Sequence, residues 1–224
     1  MKDIIESLKK LDTPSVSDAL DKLGIPCGLY GIKPVNLGSK MCGEAFTVHY
    51  VPCGEVKGTV GDFLDDIKPG QVAVLDNGGR DYCTVWGDIM AWVASKKGIA
   101  GTVIDGVCRD IPVVRETGYA MFTKGYYMVT GKDRVEVDAT NIPVSISGVK
   151  VCPGDIILGD DSGAIVIPKD RAIEVLEIAE NIEKTERHII ELVKEGNTLK
   201  EARKITGYHK LQTNDSKLKV SVLG

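Results

Sequence analysis

The sequence is poor in the residues that build several common kinds of site. Aromatic residues make up 5% of its 224 positions, and its three histidines, His49, His188 and His209, lie far apart. Few aromatics and a net charge of -4, with a pI near 5.5, argue against nucleic acid as the main partner. Phosphates are met by clustered Lys and Arg, and bases by stacked rings. Dispersed histidines give neither a zinc-ligand spacing nor a local Ser-His-Asp arrangement. The six cysteines, Cys27, Cys42, Cys53, Cys83, Cys108 and Cys152, stand singly without a C-x-x-C pair and read as reduced structural residues. No apolar run reaches membrane-spanning length, and the charged start KDIIESLKKLD is unlike a signal peptide, so a cytoplasmic location is expected. Neither G-x-G-x-x-G nor G-x-x-x-x-G-K-[ST] occurs, which leaves no fingerprint for a dinucleotide, a nucleotide phosphate or an adenosyl cofactor.

What is present suffices for a full core: 43% hydrophobic and 27% charged residues suit one domain over 1–224. Residues 1–24 read as two short helices, the second capped by Thr13, with Pro14 in its first turn and Gly24 ending it. From 42 to 168, β-rich runs (GEAFTVHYV, QVAVLD, GTVIDG, PVSISG, DIILG, GAIVIP) alternate with Gly and Pro-Gly turns. One helix, Asp88 to Lys97 closed by Gly98, falls between two of these runs and predicts a βαβ unit with a parallel pair. From Lys169 to Glu195 the period becomes helical, with Val175, Ile178, Ala179, Ile182, Ile189, Ile190 and Val193 forming an apolar stripe that Glu186 interrupts. A carboxylate in such a stripe needs a partner. A shorter helix near Leu199 to Ile205 precedes the tail GYHKLQTNDSKLKVSVLG, whose polarity suits a surface clamp or a frayed end.

The most informative feature is a near repeat: VLDNGGRD at 74–81 and VIDGVCRD at 103–110. Each is an apolar strand ending in Asp, followed by a Gly-containing turn and then Arg-Asp. Ligands gather at the carboxyl ends of strands in open α/β sheets. Arg offers a planar fork for a carboxylate, and Asp a hard oxygen for Mg²⁺ or Mn²⁺. Either pair reads equally as a surface ion pair, and Asp110 equally as the cap of a helix beginning at Ile111-Pro112. Asp88 likewise reads as an N-cap, or as part of a helix start whose free N–H groups bind a carboxylate. Gly78-Gly79 reads as a turn, as do Pro153-Gly154-Asp155 and Asp160-Asp161-Ser162-Gly163.

At these residues the chain resembles the RraA-like proteins, which include 4-hydroxy-4-methyl-2-oxoglutarate aldolases that also decarboxylate oxaloacetate. The resemblance runs through Ser17-Asp18-Ala19-Leu20, Gly78-Gly79, Gly87-Asp88, Gly101-x-Val103-x-x-Gly106-x-x-Arg109-Asp110, Pro153-Gly154-Asp155, Asp161-x-Gly163, Val166-x-Pro168 and Glu186. It implies an α/β fold of the swivelling β/β/α type, like a phosphohistidine domain, assembled as a homotrimer or a dimer of trimers with sites between subunits. It also separates the two Arg-Asp pairs, because Arg109-Asp110 matches the family motif and Arg80-Asp81 does not. By that match Arg109 binds the oxo-acid end of the substrate, Asp110 ligates a divalent metal (Mg²⁺ or Mn²⁺) directly, and the backbone of Gly87, Asp88, Ile89 and Met90 cradles a carboxylate. Asp88 and, from a neighbouring subunit, Glu186 hold metal-bound waters, with Glu183 one turn away as the other candidate.

The expected activity is that of a metal-dependent lyase. A metal bridging the substrate's carboxylate and keto oxygen stabilises the pyruvate enolate shared by retro-aldol cleavage and β-decarboxylation, and a water near Asp88 takes the alcohol proton. The family also includes regulators that bind and inhibit a ribonuclease without catalysis, and fold alone does not separate the two classes. Retention of Asp110, Asp88 and Glu186 favours the enzyme.

Overall fold

A computed structural model describes residues 1–208. The expected polar tail from 209, including His209, lies outside the described residues. Helices α1 (Lys2–Leu8) and α2 (Thr13–Lys22) lead into strands β1 (Lys33–Pro34), β2 (Met41–Pro52) and β3 (Val72–Thr84). Then follow α3 (Asp88–Lys97), β4 (Gly101–Cys108), α4 (Ile111–Thr117), β5 (Met121–Tyr126) and β6 (Val135–Thr140). The chain continues through β7 (Val144–Ile146), β8 (Val149–Val151), β9 (Ile156–Asp160), β10 (Gly163–Ile167), α5 (Ala172–Lys194) and α6 (Leu199–Thr206).

Strands β2 to β5 run parallel, and β9 and β10 extend the sheet antiparallel, in the order β1-β5-β4-β3-β2-β9-β10 with β6 also on β2. Two βαβ crossovers occur, through α3 and α4, where the sequence signals one. β5 and β6 were not apparent as strands in the sequence, because MFTKGY and VEVDAT mix polar residues into short runs. The sheet curls until its edges approach. Leu29 N–H donates to the carbonyl of Ala164 on β10, and β1 pairs with β5, so the segment between them bridges both edges.

Alternation along each strand sorts the core into layers. Val72 and Val74 point inward with Ala45, Val103, Phe122, Ile157 and Val166, while Ala73 and Leu75 join Phe46, Ile104 and Met121 beneath α3 and α4. On another outer face, α1, α2 and α5 cover Cys42, Ile156, Leu158, Ile165 and Ile167. α5 draws Val175, Ala179, Ile182 and Ile189 from the predicted stripe into burial, after a short 3₁₀ turn at Lys169–Arg171. No helix among the described residues is long and apolar enough to cross a membrane.

The start of α2 differs from expectation. Asp12, not Thr13, is the N-cap, accepting from Ser15 N–H at 2.9 Å. Thr13 instead ties α2 to the β9–β10 turn: its N–H and Oγ1 both donate to the Asp160 carboxylate at 2.7 Å, which also accepts from Ser162 N–H at 2.8 Å. Burial raises the Asp160 pKa, but these bonds and the charge of Lys40 outweigh it, so the carboxyl lies below its ordinary value of 3.8. A depressed carboxylate contributes stability above its unfolded pKa and loses it as pH falls through the folded value. Asp160→Asn is expected to lower Tm at pH 7 by about 2–8 °C. It should also flatten the decline in stability below pH 4; an unchanged acid limb in pH-dependent thermal melts would show that this tie contributes nothing.

Candidate active site

The two crossovers deliver two loops to the same place. β3 ends at Thr84 and β4 at Cys108, and the first residues after each strand meet: Arg109 N–H donates to the Trp86 carbonyl at 3.1 Å. Helix α3 begins next to that bond. Its N-cap is Gly87, without a side chain to offer, so Asp88 occupies the first helical position rather than the cap. First-turn N–H groups have no intrahelical acceptors. The Asp88 N–H finds one across the cleft, in Asp110 Oδ2 at 3.1 Å, and the Ile89 N–H finds one in Asp88 Oδ1 at 2.8 Å. Two of the four expected cradle amides are therefore already engaged by carboxylates. The preference of this helix start for anions is built into the fold.

Asp110 sits at the N-cap position of α4 but makes no cap bond to it. Its backbone is left-handed, φ 58° and ψ 39°, which turns the carboxylate back toward α3. Arg109 Nε lies 3.3 Å from the same Oδ2, leaving the arginine's terminal nitrogens and Asp110 Oδ1 without partners among the described residues. Both side chains are a little over one-third exposed. The absence of a Cβ at Gly87 makes the arrangement possible, since one there would stand 2.6 Å from Asp110 Oδ2 and 3.2 Å from Arg109 Nε. Beside these groups opens a cavity of about 220 Å³ whose walls include Val60, Trp86, Met90, Thr130 and Lys132 as well as Asp88 and Arg109. That is smaller than the roughly 300–1,000 Å³ of drug-sized sites and suits a small metabolite. A larger cleft of about 520 Å³, between the start of α2 and β10, contains neither Arg-Asp pair.

The other half of the near repeat has a different fate. Gly78 and Gly79, read as a turn, lie inside β3 with left-handed backbones, where the register to β4 slips. Arg80 Nη1 donates to the Asn77 carbonyl at 2.8 Å, bracing that bulge, and Asp81 is exposed. The leading aspartates, Asp76 and Asp105, stand opposite each other in the ladder. Asp76 pairs with His49 Nδ1 at 3.1 Å and Asp105 with Lys124 Nζ at 2.5 Å. Ser147 N–H on the β7–β8 hairpin donates to Asp105 at 3.0 Å. This ladder was invisible in the sequence, because His49 and Lys124 join it only through strand register.

Glu186 stands apart from Arg109 and Asp110 in the chain. It lies on α5, accepts from Tyr208 Oη at 3.4 Å, and is not among the residues lining the cavity. Burial raises its pKa, with Asp18, Asp12 and Glu183 adding to the rise. Glu183 is paired with Arg187 at 2.6 Å. Among the described residues no three His, Cys, Asp or Glu side chains converge as a metal-ligand set. Val60, Thr84, Val85, Trp86, Thr130 and Lys132 are the cavity residues that sequence reasoning missed, and no short motif marks them.

A profile of the RraA-like family, described as Aldolase/RraA, matches residues 13–166. The chain belongs to the RraA-like family. Protein DlpA of Legionella pneumophila is 41% identical over 207 residues, 91% of this chain but 34% of DlpA, so the chain spans about a third of that relative. A Halalkalibacterium halodurans protein, provisionally named a 4-hydroxy-4-methyl-2-oxoglutarate aldolase, is 34% identical over 177 residues, covering 79% of this chain and 82% of that protein. The crystal structure of Streptomyces coelicolor RraAS2, described as an unusual member of the RNase ES inhibitor RraA protein family, matches with a TM-score of 0.77. It is 31% identical and covers 83% of this chain and 94% of its own. The mixed α/β single-domain architecture with its long C-terminal helix is thus that of RraA-like proteins.

The contact at Gly87 is directly testable. Gly87→Ala is expected to push the Asp110 carboxylate off the Asp88 amide and speed hydrogen exchange there by about tenfold, leaving core amides unchanged. Unaltered protection of Asp88 would mean that the carboxylate does not hold that amide.

Proposed function

We propose that this protein is a divalent-cation-dependent lyase that cleaves the C3–C4 bond of a 4-hydroxy-2-oxo acid to give pyruvate and a second oxo compound. The same site would decarboxylate oxaloacetate. The observation that carries the reading is the Asp110 carboxylate: one oxygen is fixed by the Asp88 amide and Arg109, and the other has no partner among the described residues. A partly exposed carboxylate with a free oxygen, beside the partly exposed start of α3 that carries Asp88, suits a hard cation that keeps most of its waters. Asp110 would hold the cation directly, and Asp88 and Glu186 of a neighbouring subunit would hold its waters, in a homotrimer or a dimer of trimers. Ile89 and Trp92, 75% and 56% exposed on α3 next to the site, provide apolar surface for such a contact. When bound, Mg²⁺ or Mn²⁺ supplies positive charge where the 2-oxo group gathers the electron pair of the broken bond.

The residues of the chain supply the rest. The free terminal nitrogens of Arg109 can grip the 2-oxo acid end in the geometry a guanidinium prefers. Of the expected cradle amides at Gly87, Asp88, Ile89 and Met90, that of Asp88 stays on Asp110, and the others would receive a carboxylate once the Asp88 side chain releases the Ile89 N–H. Freed, that side chain stands where a water can take the proton of the C4 hydroxyl as the C3–C4 bond opens, and C3 is then protonated to complete pyruvate. Decarboxylation of oxaloacetate uses the same electron flow with CO₂ leaving.

A regulator that binds a ribonuclease is the second reading, favoured by the similarity to the Streptomyces protein. The two separate in a lactate-dehydrogenase-coupled assay of 4-hydroxy-2-oxo acids and oxaloacetate with and without EDTA. Pyruvate release abolished by EDTA, and reduced at least about 100-fold in Asp110→Asn, is the expected result. Full activity of Asp110→Asn with saturating metal would overturn the mechanism, and stable ribonuclease capture without any lyase activity would establish the regulator.

A further inference from the structure

Glu186 does not line the Arg109 cavity, but the chain folds back on itself to reach it. Helix α5 stops after Lys194, where Gly196 takes a positive φ of 103° and Asn197 returns its N–H (3.1 Å) and its Nδ2 (2.9 Å) to the Leu192 carbonyl. Thr198 then caps α6 in a reciprocal box: Glu201 N–H donates to Thr198 Oγ1 at 3.3 Å, and Thr198 N–H to Glu201 Oε2 at 2.9 Å. α6 packs on α5, with Ala202 fully buried. Lys194 lies eight residues past Glu186, and α6 is eight residues long, so two arms of about 12 Å each bring the end of α6 back level with Glu186.

Tyr208 is the residue delivered there. Gly207, left-handed at φ 65°, ends α6 by donating to the carbonyls of Arg203 and Lys204, and Tyr208 follows it. The Arg203 guanidinium lies 5.3 Å from the centre of the Tyr208 ring, a cation–π contact that holds the ring in place. Tyr208 Oη donates to Glu186 Oε1 at 3.4 Å, and Oε2 accepts no hydrogen bond among the described residues. The carboxylate so held stands among like charges, since Asp18, Asp12 and Glu183 all place negative charge near it. Without a tether, repulsion and the rotational freedom of a long side chain would both draw it away from this position.

We infer that Tyr208 is a positioning residue: it fixes the Glu186 carboxylate so that Oε2 is presented to the hydration shell of a divalent cation at a neighbouring subunit's Arg109-Asp110 site. The inference rests on the reading of Glu186 as the carboxylate lent across the subunit contact, and it adds what holds that carboxylate. An acceptor fixed before the cation arrives loses less freedom on binding than one that rotates, so the hydroxyl strengthens cation binding without touching cation or substrate. Phenylalanine at this position keeps the ring against Arg203 and removes only the donor.

Metal binding in the absence of substrate tests this. With MnCl₂ added to the full-length protein and free Mn²⁺ counted by its EPR signal, Tyr208→Phe is expected to bind the ion about fivefold more weakly than wild type, and Glu186→Ala at least about tenfold more weakly. In the Glu186→Ala background, adding Tyr208→Phe should change the affinity by less than about twofold, because the hydroxyl then has no carboxylate to place. In oxaloacetate decarboxylation, the Mg²⁺ concentration giving half-maximal rate should rise by about fivefold in Tyr208→Phe while kcat at saturating Mg²⁺ stays within about twofold. Wild-type Mn²⁺ affinity in Tyr208→Phe, with Glu186→Ala weakened, overturns the inference and leaves the reading of Glu186 intact. An equal loss from Tyr208→Phe with and without Glu186 also overturns it, since the tyrosine would then act on the fold. If Glu186→Ala binds Mn²⁺ as tightly as wild type, the inference falls together with that reading. If the Mn²⁺ results hold and the wild type turns over no oxo acid, the lyase reading fails while the assignment of Tyr208 stands.

Discussion

The site depends on one unfavourable backbone conformation. Asp110 is held left-handed, φ 58° and ψ 39°, in a region that costs a non-glycine residue about 1 kcal/mol or more. In the extended conformation usual for an N-cap, its carboxylate would satisfy α4, and the start of α3 would lose its anion. The left-handed turn sends it across the cleft to the Asp88 amide instead. Gly87 makes the space, and the bond from Arg109 N–H to the Trp86 carbonyl fixes the two loops to each other. Two strand ends, a helix start and an Arg-Asp pair are thereby held as one unit.

That arrangement explains why the two halves of the near repeat diverge. Both begin with an aspartate facing inward from adjacent parallel strands, and both aspartates are consumed in the ladder His49–Asp76 and Asp105–Lys124 under the β7–β8 hairpin. The ladder fixes the register of β3 and β4. Beyond it the strands differ. In β3 the left-handed glycines bulge, and Arg80 turns back onto Asn77. In β4 the strand shifts register against β5 between Ile104 and Val107 but continues to Cys108 and releases Arg109-Asp110 at its carboxyl end. Arg80 of the first pair braces the sheet, and the second pair stands at the start of α3.

Much of this was legible in the sequence because it rests on local chemistry. The helix Asp88 to Lys97 with Gly98 after it follows from periodicity and caps, and the structure gives it unchanged; of the helical stripe from Val175 to Val193, Val175, Ala179, Ile182 and Ile189 are buried while Ile190 and Val193 are exposed. What was not legible needs distance. Thr13 reads as a cap until Asp160, far along the chain, claims both its donors and leaves Asp12 to cap α2. Asp110 reads as the cap of α4 because only the fold reveals that α3 lacks a capping side chain and lies within reach. Lys132 carries no motif at all. Its place on the cavity wall comes from a loop pinned to Thr84, a contact that no spacing rule encodes.

Glu186 shows how the proposed assembly and the proposed cation would depend on each other. Within one chain this carboxylate is poorly placed: burial and the negative charges of Asp18, Asp12 and Glu183 push its pKa up, against a hydrogen bond from Tyr208. A group in that position gains from any cation brought near it, because ionisation is then favoured instead of opposed. The Arg109-Asp110 site has the complementary lack, since Asp110 and Asp88 alone would leave other waters of a hydrated divalent ion without a carboxylate to accept from them. Docking the α5 layer of one subunit onto the α3 start of another would correct both at once. Metal binding and subunit association would then be thermodynamically linked, each strengthening the other by the same free energy.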